Sequence, residues 1–98
     1  MDEENELLRA KLNLETAQIA WRELQRFFAM GAAIAVSPDL DLVEVAFQFT
    51  RDNASQVERW LADGKIEPVS DRQAREWFDA DARLWSVVVK PWVLVQSR

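Results

Sequence analysis

Arg83-Leu84-Trp85-Ser86-Val87-Val88-Val89-Lys90-Pro91-Trp92-Val93-Leu94-Val95-Gln96 is the most apolar stretch of this 98-residue chain. From Leu84 to Val89 both alternating faces are apolar, which suits a central strand covered on both sides. Pro91 has no amide hydrogen, so the ladder breaks, bulges or meets an edge there. Lys90 and Pro91 also interrupt a run that would otherwise invite pairing with another chain.

Upstream of this strand the chain reads as alternating helices and short extended pieces. Leu7, Leu8 and Leu12 have helical spacing and predict a helix over 4–15, with residues 1–5 as a fraying end. Ala20, Trp21, Leu24, Phe27 and Phe28 form one face of a second helical pattern, with Gly31 in the position of a C-terminal cap. No strong breaker lies in 13–18, so the two patterns can also be one helix. Residues 32–36 read as a strand, and Ser37-Pro38-Asp39-Leu40 has the composition of a type I turn. In 41–50, Val43, Val45, Phe47 and Phe49 alternate with Glu44, Ala46, Gln48 and Thr50, which predicts a half-buried strand. Leu42, Val45, Ala46 and Phe49 also fit a helix that Ser37-Pro38 could start. The Val and Phe content and the length of the alternation favour the strand. Asn53 with Gln56, and Ser70 with Gln73, have capping-box spacing and open two further helices, separated by a brief extended piece at Ile66–Val69.

Composition bounds the chemistry. A chain of 98 residues, 49% hydrophobic and 30% charged, is expected to form a single domain spanning 1–98. It has no Cys, His or Tyr and only two Gly. Thiolate and imidazole metal sites, the usual neutral-pH general base, Cys nucleophiles and glycine-rich phosphate loops are thereby excluded. No cofactor is expected. The net charge is −5, and Asp2, Glu3, Glu4 and Glu6 nearly account for it; residues 50–98 hold eight acids and eight bases. No basic stripe is left to grip a phosphate backbone, so nucleic acid is not expected as a partner. The longest apolar run, Phe27–Val36, has ten residues, about half of what a membrane-spanning helix needs. No membrane association is expected, and the acidic N-terminus points to the cytoplasm.

Leu40-Asp41-Leu42-Val43-Glu44-Val45-Ala46, Val57 with Trp60-Leu61, and Pro91-Trp92-Val93-Leu94-Val95-Gln96 together resemble an uncharacterised bacterial family of small proteins, catalogued as a domain of unknown function. The stretch Trp21–Ala29 is similar to the same family. The resemblance covers nearly the whole chain and is most specific at the PWVLVQ terminus. It implies a stand-alone bacterial cytoplasmic protein, and it implies no catalytic residue.

Few side chains remain as candidates for function. Of the five tryptophans, Trp21, Trp60 and Trp77 sit on apolar helix faces and read as core. Trp85 and Trp92 are the candidates for contact with another molecule, Trp92 most of all because it follows Pro91. Asp39 with Asp41, and Asp79 with Asp81, are spaced by one residue, but turn and helix-end roles account for them, and no metal site is assigned. Glu44 lies within an apolar run. It is a functional carboxylate if buried and an ordinary surface group if its strand has a wet face.

The expected fold is α+β, with helices packed on a small, mostly antiparallel sheet using 32–36, 41–50 and 84–95. The expected function is a non-catalytic interaction or assembly module whose partner is another protein or a second copy, giving a homodimer. Trp85, Trp92, Asp41 and Glu44 are its candidate contact residues. The rival reading is a small carboxylate-based enzyme, or a ligand- or divalent-cation-binding protein, built on Glu44 and Asp41.

Overall fold

The computed structural model describes residues 2–97. Helix α1 (Asp2–Glu15) leads into strand β1 (Ala17–Ala20), helix α2 (Trp21–Ala29) and strand β2 (Ala33–Val36). Helices α3 (Leu42–Thr50) and α4 (Ala54–Ala62) follow, then β3 (Ile66–Pro68), α5 (Asp71–Asp79), β4 (Arg83–Val89) and β5 (Trp92–Gln96). The five strands form one sheet in the order β1-β4-β5-β2-β3. Only β2 and β5 run parallel, with Ala33, Ile34 and Ala35 opposite Val93, Leu94 and Val95; the other neighbours are antiparallel. The fold is α+β.

The apolar C-terminal stretch is two strands, not one. It folds back at Lys90-Pro91, so Val89 pairs with Trp92 and Trp85 with Gln96. Pro91 therefore sits in the turn, where its missing amide costs no ladder bond. The reading of cover on both faces holds. Ile34, Val36, Val87, Val89 and Leu94 pack beneath Leu12 of α1 and Leu42, Val45, Ala46 and Phe47 of α3. Ala33, Ala35, Leu84, Val93 and Val95 pack on the opposite face beneath Trp21 and Leu24 of α2 and Ala74 of α5. Each fully buried aliphatic side chain contributes roughly 1.5–3 kcal/mol, so both layers are needed to cover the same three strands.

The strand expected at 41–50 is overturned: Leu42–Thr50 is helix α3. Asp41 decides the start. Its carboxylate accepts from the backbone N–H of Val43 at 2.9 Å and of Glu44 at 3.4 Å, which satisfies donors that a first helical turn leaves orphaned. The misleading alternation has a physical source. α3 packs on the sheet, α1 and α4, so it is apolar around most of its circumference. Phe47, on the alternating pattern, is buried by α1, whose Arg9 guanidinium lies 3.9 Å from the ring centroid.

The two helical patterns flanking 13–18 are separate helices, as expected, and the alternative of one continuous helix is ruled out; the strand between them was not expected. Thr16 ends α1 by donating its N–H to the Asn13 carbonyl and its hydroxyl to that of Leu12. Ala17–Ala20 then pairs with Arg83–Ser86 as an edge strand. Four short residues without alternation leave little sequence signal for a strand.

Helices α2, α3, α4 and α5 each have nine residues and end alike. A left-handed residue follows the cap, and the next N–H donates back to the carbonyl five positions earlier, closing a six-residue motif: Ala32 to Phe27, Asn53 to Gln48, Lys65 to Trp60, Ala82 to Trp77. Gly31 and Gly64 hold that position after α2 and α4, and Asp52 (φ 56°) and Asp81 (φ 50°) hold it after α3 and α5. The turn after β2 is fastened separately. Asp39 accepts from the Ser37 hydroxyl and from the Lys65 ammonium, and Gln96 donates to the carbonyls of Ser37 and Leu40 at 2.8 Å each.

Three outcomes follow from this local chemistry. Asp41→Ala removes the cap of α3 and should lower unfolding free energy by about 1 kcal/mol in a urea melt. Asp52→Gly relieves a left-handed L-residue and should raise it by about 0.5–1 kcal/mol in the same assay. The Lys65 ammonium, and after it the Ser37 hydroxyl, holds the Asp39 carboxyl below its ordinary 3.8. A carboxyl depressed in the folded state adds stability above its unfolded pKa and loses it as pH falls through the folded one. Thermal melts should therefore show a small, salt-screened loss below about pH 4 that Asp39→Asn abolishes.

Candidate functional site

The four residues expected to make contacts are not gathered into one site. Asp41 and Trp85 come together, lining a concavity of about 280 Å³ with Asn13, Thr16, Leu42 and Val43. The meeting arises because β4 runs beneath the start of α3 and the end of α1. Trp85 is half-buried there and packs against the core under α3. Asp41 is exposed, and its carboxylate is directed to the amides at the start of α3.

Glu44 lies a turn further along α3. It is not a buried acid: its side chain is 39% exposed. Arg9 Nε donates to Oε1 at 3.1 Å and Gln48 Nε2 donates to Oε2 at 2.7 Å. Each carboxylate oxygen thus carries a bond that docks α1 on α3 or braces α3 itself. Trp92 stands elsewhere, just past the β4–β5 turn and 37% exposed. It borders a separate concavity of about 290 Å³ with Val57, Pro91, Asp52 and Glu58. Among the described residues no group of three or more Asp or Glu side chains could hold a metal ion, so Asp41 and Glu44 do not gain further oxygen ligands of the kind a hard cation needs.

The tryptophans read as core behave as such. Trp21 is fully buried, with its ring 5.1 Å from that of Trp77 in an edge-on arrangement and 5.8 Å from Phe28. This cluster joins α2 to α5. Trp60 is half-buried against the other face of the sheet.

Two features have no forerunner in the sequence reading. The first is the outer side of α1. Leu8 and Leu12 point toward the core, whereas Leu7 and Leu14 stand 71% and 83% exposed. A helix turns about 100° per residue, so Leu7 and Leu14, seven apart, share a side with Ala10 between them. The signal was present in the spacing, but all the leucines look alike until the core side is known. The second is a crevice of about 350 Å³ at the carboxyl ends of the parallel strands β2 and β5. Its walls come from the turn after β2, from β3 and from α5, segments far apart in the chain.

Among the described residues no helix is long and apolar enough to cross a membrane. No curated protein matches the chain. It is similar to PA1075 from Pseudomonas aeruginosa, known from an NMR solution structure. The two are 47% identical and share a TM-score of 0.82, over 94% of this chain and 85% of that one. Residues 7–97 match the family model described as Protein of unknown function (DUF2288). The PWVLVQ terminus, the capped α3 and the tryptophan-bearing helices all lie within that match, and the chain belongs to the DUF2288 family.

Proposed function

We propose that this chain is a non-catalytic interaction module of the bacterial cytoplasm that binds a protein partner through the outer side of α1. The observation that carries this reading is the stripe of Leu7, Ala10 and Leu14, apolar and turned to solvent on a helix already anchored by its other side. Docking of α1 through Leu8, Leu12 and the Arg9–Glu44 pair presents the stripe on a preformed surface, so binding requires little further ordering. Burying the two leucines contributes roughly 1.5–3 kcal/mol each before the cost of association. The 47% identity to a Pseudomonas aeruginosa chain supports a bacterial origin.

Charge selects the partner. Glu3, Glu4, Glu6 and Glu15 border the stripe, with Lys11 as the basic residue among them. A second copy packed antiparallel would bring Glu6 beside Glu15, so self-association through this side is opposed by like charge. The complementary surface is an amphipathic helix whose apolar stripe is bordered by Lys or Arg. The absence of imidazole, thiol and phenol supports a role in surface matching, as does the engagement of Asp41 and Glu44 in helix capping and helix docking.

A synthetic amphipathic Leu/Lys helix peptide should shift the amide resonances of α1 in NMR titrations and bind less tightly as salt rises. The Leu7→Ser/Leu14→Ser double variant should keep its unfolding free energy within about 0.5 kcal/mol and lose at least about tenfold in affinity. Binding that maps away from α1, or that the double variant retains, would count against the proposal. Sedimentation should show a monomer.

A further inference from the structure

The crevice at the carboxyl ends of β2 and β5 has the placement and chemistry of a small-molecule site. Ligands of open sheets gather where parallel strands end and their connections part. Here the chain leaves β2 toward α3 on one face, while the turn after β2 is held by Gln96 and by the Asp39–Lys65 pair. On the other face Trp77 and Gln73, one helical turn apart on α5, stand over the opening. Its volume of about 350 Å³ falls in the range of small-molecule pockets.

The polar groups around it set the sign of the ligand. Ser37, Lys65, Glu67, Gln73 and Ser97 line it with the Trp77 indole. The one cation of this set, Lys65, is engaged by Asp39. Glu67, exposed on the edge strand β3, has no ion-pair partner among the described residues. An unpaired carboxylate beside an indole attracts a cation and repels an anion.

We propose that this crevice binds a small organic cation, an ammonium or guanidinium group seated between the Trp77 indole and the Glu67 carboxylate, with Gln73 and Ser97 accepting its remaining hydrogens. The apolar part of the ligand rests on the sheet floor at Ala35 and Val95. The site lies on the α2/α5 face, opposite the layer that contains α1, so it is independent of partner binding by that helix.

The test is an NMR titration of the full chain with n-butylammonium and, separately, with butyrate. Butylammonium in the millimolar range should move the Trp77 indole N–H and the amides of Ser37, Lys65 and Ser97, and butyrate should not. Glu67→Gln, on an exposed strand position and so expected to fold normally, should weaken butylammonium binding about tenfold. Shifts produced equally by butyrate, no shifts with butylammonium, or unchanged affinity in Glu67→Gln would each overturn the assignment.

Discussion

Strands β4, β5 and β2 are apolar on both faces, and the rest of the molecule is arranged to cover them. Leu84, Val87, Leu94 and Val95 are almost completely buried, yet they belong to opposite faces of one sheet. A sheet with one helical layer would leave half of these side chains in water. The chain therefore places α1, α3 and α4 on one face and α2 and α5 on the other. The two parallel crossovers, β1-α2-β2 and β3-α5-β4, share the second face, and their helices meet through Trp21 and Trp77.

That requirement explains the helix at 42–50. The face carrying Ile34, Val87 and Leu94 is covered by α3 together with α1 and α4, and a helix between α1 and α4 must be apolar on several sides. Once Asp41 caps the first turn, the local backbone preference and the tertiary demand agree. Arg9 closes the remaining exposed side by lying over Phe47 while pairing with Glu44. A side chain that looks functional as an acid in an apolar run is thereby a link between two helices.

The same architecture produces both surfaces assigned a role. Anchoring α1 by one side leaves the leucines on its other side exposed. Ending two parallel strands together, with the turn after β2 held by Gln96, leaves a crevice beside Trp77. Asp41 and Glu44 line neither surface; Glu44 serves the first only by docking α1 through Arg9. Trp92 borders a third concavity near the β4–β5 turn, and Trp85 is part of the floor beneath α1 and α3.

Much of the fold was legible in local chemistry. Asn53 and Ser70 announce α4 and α5 because a side-chain acceptor three residues before an amide is a local arrangement. Gly31 and Gly64 mark helix ends because a left-handed residue is cheapest without a side chain. Pro91 marks the break in the apolar run because it has no hydrogen to donate. The missing Cys, His and Tyr limit the chemistry whatever the fold. Long-range packing decided the rest. Val43, Val45, Phe47 and Phe49 satisfy both periodicities, and contact with the sheet, α1 and α4 selects the helix. Ala17–Ala20 pairs only because β4 offers it an edge. The exposure of Leu7, and the meeting of Glu67 with Trp77 at one crevice, depend on side chains far away in sequence, and no local pattern encodes which groups the folded chain brings together.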